Sequence, residues 1–121
     1  MGSTCLIAII YNNNNKLKLK AINLGDSRMI CCNRYNIGIP LTIDHKPDFF
    51  YEKKRIIKLG GEITNYDRDC PRIKGLATSR SFGDLDTKPF VSHLPDIYDY
   101  DITNMKYIVL ACDGLWDVLT N

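Results

Sequence analysis

The chain has 121 residues, of which 45% are hydrophobic and 25% charged, with a formal net charge of +2. This length fits one domain, and this balance is that of a globular protein, which excludes disordered, collagen-like and coiled-coil chains. Because the sequence has neither a basic stripe nor an apolar run long enough to span a bilayer, neither a nucleic acid nor a membrane is predicted as a partner.

The first third of the chain has the apolar patterns of β-strands. Residues 4–11 form a continuous apolar run, which is typical of a strand buried on both faces. Residues 16–24 begin by alternating lysines with apolar residues, and the asparagines at 12–15 predict a hairpin between the two segments. Gly25 and Asp26 interrupt the pattern, which predicts a bend or bulge. Two more strands are predicted, near residues 28–33 and 37–43.

One helix is predicted over residues 48–59. Asp48 can cap its first turn, and Gly60 with Gly61 can end it. Three apolar residues are predicted to share its buried face, namely Phe49, Ile56 and Leu59. Four basic residues of the same segment are typical of a solvated face, namely Lys53, Lys54, Arg55 and Lys58.

Short strands are predicted over the rest of the chain, at residues 62–66, 72–77, 96–101 and 106–112. The last of these apolar runs stops at Asp113 and Gly114, just before the amphipathic start of a helix. Asp113 is therefore predicted to lie at a junction between a strand and a helix.

The cysteines indicate a reducing compartment. There are five, an odd number, and they form no CxxC pair, so neither a disulfide framework nor a zinc ribbon is indicated. Reduced and mostly buried thiols are expected. The first residues lack the charged segment of a signal peptide, and the expected location is intracellular, either cytoplasmic or nuclear.

Spacing excludes several kinds of catalytic site. The chain has no glycine-rich phosphate loop, no GxSxG nucleophile turn and no HExxH metal motif. A thiol phosphatase needs an arginine in a tight loop after its cysteine to hold the phosphate, and no cysteine here has an arginine six residues later. The two histidines, His45 and His93, are far apart in sequence and are interpreted as hydrogen-bonding loop residues.

Aspartates at strand ends remain as candidates for chemistry. Twelve of the fourteen acidic residues are Asp, a ligand type for Mg²⁺ or Mn²⁺, although AT-rich codon usage gives the same excess. If a helix begins near Gly114, Asp113 and Asp117 lie one turn apart and can face a shared cation. Asp113 can instead cap the helix while Asp117 is solvated, and spacing alone favours this alternative. Asp26 is either a solvated acid at a bulge or an aspartate directed at a metal.

Five segments of the chain occur in this order: GSTCLIAII, INLGDSR, LTIDHKP followed by EKKRIIKLGG, LATSRSFGD, and IVLACDGLWDVLTN. They are closely similar to motifs that the protein phosphatase 2C family, the metal-dependent PPM family of protein Ser/Thr phosphatases, carries in the same order. The match runs from Gly2 to Asn121, so residues 1–121 resemble a partial domain, the central part of such a phosphatase.

The resemblance implies a fold of the α/β class (α+β type), a phosphatase 2C-like β-sandwich flanked by helices and here truncated at both ends. It also implies a two-metal Mg²⁺ or Mn²⁺ centre, at which a water activated by both metals attacks phosphorus. By position, Asp113 matches a ligand of that centre, and Asp26 and Asp117 match acids of a further, weaker metal site. Three more matches are interpreted as scaffolding, namely residues 44–47, Arg80 and Asp84.

The chain also departs from the family's pattern. It contains neither the Asp-Gly-His-Gly type string nor the Asp-Asn string that supply other ligands, so the ligand set is incomplete and no catalytic residue is assigned. Two functions follow: a partial metal-dependent protein Ser/Thr phosphatase that is inactive as 121 residues alone, or an inactive phosphatase-like module that binds proteins. Retention of three acids favours the first. The expected partner is a phosphoprotein substrate or another protein, and the strand edges of a truncated sandwich predict self-association.

Overall fold

The structure is a computed structural model that describes residues 1–65 and 70–121. These described residues form eight strands and two helices in chain order: β1 (Gly2–Ser3), β2 (Cys5–Asn13), β3 (Lys16–Leu24), β4 (Arg28–Asn33), β5 (Gly38–Pro40), α1 (Phe50–Lys58), β6 (Phe82–Gly83), β7 (Asp96–Asp101), β8 (Met105–Ala111) and α2 (Asp113–Trp116). A single turn of 3-10 helix spans Leu85–Thr87. The predicted strands near 4–11, 16–24, 28–33, 37–43, 96–101 and 106–112 are confirmed, with shifted ends.

The strands form two three-stranded antiparallel sheets, ordered β2-β3-β7 and β5-β4-β8, and a small sheet in which β1 pairs with β6. The predicted hairpin is β2 and β3, paired from Cys5 with Leu24 to Asn13 with Lys16. Its two-residue turn has positive φ angles at Asn14 and Asn15, as a type I′ turn requires. Asparagine tolerates this backbone conformation better than most residues, so the asparagine run sets the register of the hairpin.

The main core lies between the two large sheets. Alternate side chains of the central strands β3 and β4 point inward, and residues of the following segments join them; the buried members are Leu19, Ala21, Met29, Cys31, Leu41 and Ile102. The Tyr100 hydroxyl donates a hydrogen bond of 2.7 Å to the carbonyl of Leu41, which ties β7 to the chain just after β5. The sandwich is therefore joined along its β5 and β7 side.

The opposite side of the sandwich is open. Strands β2 and β8 are edge strands, and between them lies a cavity of about 340 Å³ lined by Ile10, Leu17 and Leu110 among others. These three apolar side chains are all exposed. The expectation that residues 4–11 form a strand buried on both faces is wrong, because Ile7 and Ile9 on one face of β2 and Ile10 on the other are exposed.

Gly25 and Asp26 lie at a corner between the sheets and not at a bulge within one strand. Strand β3 ends at Leu24 in one sheet, and β4 begins at Arg28 in the other. The φ angle of Gly25 is +116°, a conformation that favours glycine. The predicted interruption is thus the crossover that turns the chain from one layer of the sandwich to the next.

Helix α1 has a buried face different from the predicted one. It begins at Phe50 after an N-cap residue, Phe49, that makes no side-chain capping bond, so the predicted cap by Asp48 is wrong. Its buried residues are Glu52 and Ile56, whereas Phe49 and Leu59 are exposed. The apolar pattern failed here because Glu52 is neutralised by two partly buried arginines, Arg55 and Arg80, which allow a carboxylate to take a core position.

The end of α1 agrees with the sequence. The backbone N–H of Gly60 donates to the carbonyl of Ile57, and that of Gly61 donates to the carbonyl of Ile56. Gly60 has a φ angle of +83°. This is the Schellman arrangement that satisfies the last carbonyls of a helix.

A second, smaller core supports α1 against the segment that follows it. Ile56 packs with Ile73 and Val91. The predicted strands at 62–66 and 72–77 are reduced to isolated bridges, Thr64 with Arg72 and Ile73 with Leu76, and residue 66 lies outside the described residues.

Three further features of the described chain concern its cysteines, the length of its helices and its fold class. Cys5, Cys31, Cys32 and Cys112 are free cysteines, and two of them, Cys31 and Cys32, are buried. Among the described residues no helix has the length and apolar character needed to cross a membrane. The mixed class of the fold, with mostly antiparallel sheets and few helices, agrees with the expectation from sequence.

Candidate functional site

The ends of two neighbouring strands bring candidate aspartates to one end of the sandwich. Arg28, the first residue of β4, pairs with Ala111, the last residue of β8. Asp26 lies two residues before this pair and Asp113 two residues after it. Because the strands are antiparallel, the chain enters β4 and leaves β8 at the same end of the sheet. We expect the carboxylates of Asp26 and Asp113 to lie close to one another at this end of the sheet.

Asp26 is held by a lysine of the loop before α1. Its Oδ2 atom accepts a hydrogen bond of 3.1 Å from Lys46 Nζ, and its side chain is only 12% exposed. Burial favours a lower pKa for Lys46. Its hydrogen bond to Asp26 and the negative charges of Asp26, Asp44 and Asp117 outweigh burial, so the pKa of Lys46 is raised. Lys46 thus stays protonated and balances a cluster of acids that includes Asp26 and Asp117.

Asp113 and Asp117 lie at the two ends of the short helix α2. Asp113 is its first residue, and the N-cap, Cys112, makes no side-chain capping bond. The alternative in which Asp113 is the helix cap is therefore wrong. Both aspartates are exposed, and neither side chain forms a hydrogen bond or ion pair within residues 1–65 and 70–121.

Arg28 ties this end of the sheet together. Its guanidinium donates two hydrogen bonds, of 3.0 and 2.8 Å, to the buried carboxylate of Asp44 and another of 2.9 Å to Asn121. It also lies over the ring of Trp116, 5.4 Å from the centroid. A single arginine therefore fixes α2 and the 44–46 loop relative to β4.

Beside this end lies a buried ion-pair network centred on Glu52. Its carboxylate accepts hydrogen bonds of 2.6 and 3.1 Å from Arg80, 2.9 Å from Arg55 and 2.7 Å from Ser79. Burial works to raise the pKa of Glu52, but these hydrogen bonds outweigh it and bring the pKa down to about 2. Arg55 is therefore a structural residue, and its assignment to a solvated face is wrong.

His45 is locked in one neutral form by the same network. The backbone N–H of Gly25 donates to its Nδ1 atom at 2.9 Å, so Nε2 carries the proton and donates to Asp96 at 3.0 Å. Burial lowers the pKa of this imidazole, against a raising effect of Asp96. Protonating Nδ1 would break the bond from Gly25. His45 is the hydrogen-bonding loop residue expected from sequence and fits a scaffolding role.

The donor chemistry of Asp26, Asp113 and Asp117 fits a hard divalent cation, because carboxylate oxygens are the preferred ligands of Mg²⁺ and Mn²⁺. Their number does not make a complete site. Within the described parts of the chain, no group of three or more His, Cys, Asp or Glu residues is placed to hold a metal ion. We therefore derive no reaction step through a metal.

The structure confirms Asp113 at a junction between a strand and a helix, whereas Asp26 lies at the corner between two sheets and not at a bulge. Sequence reasoning also missed two features. One is Lys46, whose role as the cation beside Asp26 has no signal in spacing. The other is the Glu52 network. An isolated Glu within a basic helix was the available hint, because only two of the fourteen acidic residues are Glu.

The architecture defines a mixed α and β protein in which two antiparallel sheets enclose a core and aspartates gather at one end. Comparison with known proteins gives the family. The family model described as protein phosphatase 2C matches residues 1–121. The chain belongs to the protein phosphatase 2C family.

Several relatives support this membership. A PP2C-like domain-containing protein of Acanthamoeba polyphaga mimivirus is 41% identical over 116 residues, covering 91% of this chain and 64% of its own length. Probable protein phosphatase 2C 11 of Arabidopsis thaliana is 42% identical over 121 residues, covering 99% of this chain and 31% of its own length. The chain thus spans 64% of the length of the first of these curated relatives and 31% of the length of the second.

A solved structure shows the same fold. The serine-threonine phosphatase 2C from Toxoplasma gondii superposes with a TM-score of 0.81 at 30% identity, covering 98% of this chain and 43% of its own. The expected class of fold and the resemblance to the family are both confirmed.

Proposed function

We propose that residues 1–121 are part of a metal-dependent protein Ser/Thr phosphatase. The observation that carries this proposal is the match of the protein phosphatase 2C family model to the whole chain. The proposed substrate is a phosphoprotein. Bound Mg²⁺ or Mn²⁺ would supply an activated water for hydrolysis of the phosphoester.

The residues proposed to contribute to the metal site are Asp113, Asp26 and Asp117. Support comes from the register of β4 and β8, which directs the segments carrying Asp26 and Asp113 to the same end of the sheet. The charges of Asp26 and Asp117 both act on the ammonium group of Lys46, which indicates that these two acids lie near one another. The carboxylate of Asp26 accepts one hydrogen bond, of 3.1 Å, from Lys46. Its remaining oxygen lone pairs are available to coordinate a cation.

We propose that this chain alone is inactive. Dinuclear catalysis needs two cations about 3.5–4 Å apart, and each needs several oxygen ligands. The described residues offer no group of three ligands, and the chain spans only part of its relatives' length. The proposed state is therefore a partial phosphatase domain whose ligand set needs further residues.

Lys46 favours a second candidate function, a phosphatase-like module that binds proteins and hydrolyses nothing. Its ammonium group already neutralises Asp26, and Asp113 and Asp117 are solvent-exposed. Such a module would keep the sandwich and its surfaces but have no use for a metal.

A chimera distinguishes the two functions. Residues 1–121 replace the aligned segment of the Arabidopsis relative, and phosphate release from a phosphoserine peptide is measured with Mn²⁺, with the parent protein as positive control. If the phosphatase proposal holds, the chimera is active, and Asp113→Ala in the inserted segment reduces its rate at least about a hundredfold. The matched control is Asp99→Ala, a solvent-exposed carboxylate on β7.

A folded chimera that releases no phosphate would overturn the phosphatase proposal and favour the binding module. Circular dichroism and thermal unfolding establish that the chimera is folded. Equal activity of the chimera and its Asp113→Ala variant would remove Asp113 from the site.

Two more properties are proposed. Self-association is supported by the open side of the sandwich, where edge strands β2 and β8 flank exposed apolar side chains. An intracellular location, cytoplasmic or nuclear, is supported by the free cysteines Cys5, Cys31, Cys32 and Cys112, since reduced thiols are usual there.

A further inference from the structure

Helix α1 exposes the kind of residues that a helix usually buries. It packs into the fold through Glu52 and Ile56. Its outer face carries Phe50, Tyr51 and Ile57, which are 71%, 79% and 58% exposed, and Phe50 and Ile57, seven residues apart, lie on the same side of the helix. Exposed aromatics of this size in one patch are typical of an interaction surface and not of an ordinary helix exterior.

The two aromatic rings stand beside a cavity. Phe50 and Tyr51 meet edge to face, with centroids 5.2 Å apart. Together with Phe49 and Ile43 they form the apolar wall of a cavity of about 490 Å³ in front of α1. This volume is within the range of pockets that hold a drug-sized molecule or a large side chain.

The floor of the cavity is polar and its charges balance, because the carboxylates of Glu52 and Asp96 are paired with the guanidinium groups of Arg80 and Arg55. It is formed by Glu52, Arg80, Asp96 and His45, which are bonded to one another. Because their hydrogen bonds are made within the protein, they hold the wall in place without needing a charged ligand. The cavity therefore favours an apolar or aromatic side chain that enters along its wall.

The helix around this wall is basic. Lys53, Lys54 and Lys58 are exposed, and none of them forms an ion pair within the described parts of the chain. Of the acids that line the cavity, Asp48 lies exposed on the rim, and the side chain of Asp96, which is 39% exposed, is paired with Arg80. The outer face of α1 thus offers three unpaired cations next to an apolar pocket.

We propose that α1 and this cavity form a docking site for an acidic segment of a partner protein. An aromatic or aliphatic anchor of the segment would fill the cavity along Phe50 and Tyr51, while its carboxylates would meet Lys54 and Lys58. A second copy of this chain is a poor occupant, because the two basic faces would repel each other. A lipid surface is also a poor occupant, because a flat bilayer leaves the cavity unfilled.

This docking site is adjacent to the candidate metal site but does not depend on its chemistry. Asp44 and His45 line the cavity, and the next residue, Lys46, binds Asp26. A partner docked on α1 would therefore lie beside the end of the sheet where Asp26 and Asp113 are found. Loss of docking and loss of phosphatase activity are separate outcomes.

The test is selection of peptides from a random display library on the 121-residue chain. Enriched peptides are expected to combine a net negative charge with an aromatic or large aliphatic residue. A synthetic copy of an enriched peptide, measured by fluorescence polarisation, should lose affinity as the salt concentration rises. Its affinity should fall about tenfold for the Phe50→Ser/Tyr51→Ser double variant and about threefold or more for Lys54→Gln/Lys58→Gln.

Matched controls separate docking from general surface effects. Tyr35→Ser removes an exposed aromatic of the turn between β4 and β5, and Lys16→Gln removes an exposed lysine at the hairpin; neither should change affinity. If the double variant fails to fold, shifts of the backbone amides of α1 in the NMR spectrum of the unaltered chain decide the location.

Several results would overturn the proposal. They are failure to enrich any peptide, enrichment of basic or purely polar peptides, and equal affinity for the Phe50→Ser/Tyr51→Ser variant. Binding to phosphatidylserine vesicles that needs Phe50 and Tyr51, without any enriched peptide, would assign the face to a membrane surface instead.

Discussion

Lys46 Nζ lies 3.1 Å from Asp26 Oδ2 at the end of the sheet where β4 begins. The side chains are 28% and 12% exposed, so the pair is only partly screened by water. Lys46 therefore supplies the positive charge beside Asp26 that a bound divalent cation would otherwise supply.

Replacing Lys46 by Met should strengthen the binding of Mn²⁺ to this chain about threefold to tenfold. The physical reason is removal of a positive charge within hydrogen-bonding distance of Asp26. Titration of Mn²⁺ followed by electron paramagnetic resonance measures the change. Lys16→Met, at the hairpin, is the control and should leave the affinity unchanged. Weaker binding in the Lys46 variant would show that Lys46 organises the acids and does not compete with the metal.

The isolated chain should not hydrolyse a phosphopeptide or an aryl phosphate with Mn²⁺, even at millimolar metal. Its rate should equal that of Asp113→Ala, because the three candidate aspartates do not complete a two-metal site. Colorimetric phosphate release measures both rates. Metal-dependent turnover by a monomer that Asp113→Ala abolishes would contradict the incomplete ligand set.

Glu52→Gln should destabilise the fold by about 3–5 kcal/mol, since it leaves Arg80 and Arg55 without their buried counter-charge. The pKa of Glu52 in the folded state, about 2, is below its ordinary value. The unfolded chain therefore binds the proton first, and the stabilising contribution is complete above about pH 4.5 and is lost as the pH falls toward 2.

Urea denaturation at several pH values measures this contribution. The difference in unfolding free energy between the unaltered chain and Glu52→Gln should shrink below about pH 4.5. Glu62→Gln, the other glutamate, is exposed and should show little difference at any pH. A difference that stays constant down to pH 2 would contradict the ionised state of Glu52.

The open side of the sandwich should drive self-association. Ile10→Lys with Leu110→Lys places charges on the inward faces of the two edge strands and should shift the chain toward monomer, because edge pairing would then bury charge. Size-exclusion chromatography with light scattering measures the molar mass. Ile97→Lys, on the exposed outer face of β7, is the matched control. A monomeric unaltered chain would contradict the prediction.

The sequence alone determined the β-strands and the hairpin, because these depend on local preferences. The alternation in residues 16–24 and the asparagines before it specify a two-stranded unit whatever surrounds it. Gly60 likewise ends α1 because the positive φ of its turn favours glycine. The five family motifs, read together, identified the family and predicted the three aspartates as metal-site residues.

Tertiary structure alone decided which faces are buried and which charges meet. Burying an unpaired carboxylate such as that of Glu52 costs free energy. The ion pair with Arg80, which lies 28 residues away in sequence, offsets this cost. The ion pair of Lys46 with Asp26 likewise joins residues that are 20 positions apart in sequence. Residues 4–11 have the pattern of a central strand, yet β2 is an edge strand because its neighbours are set by topology. Burial and pairing depend on contacts between distant segments, which no local pattern encodes.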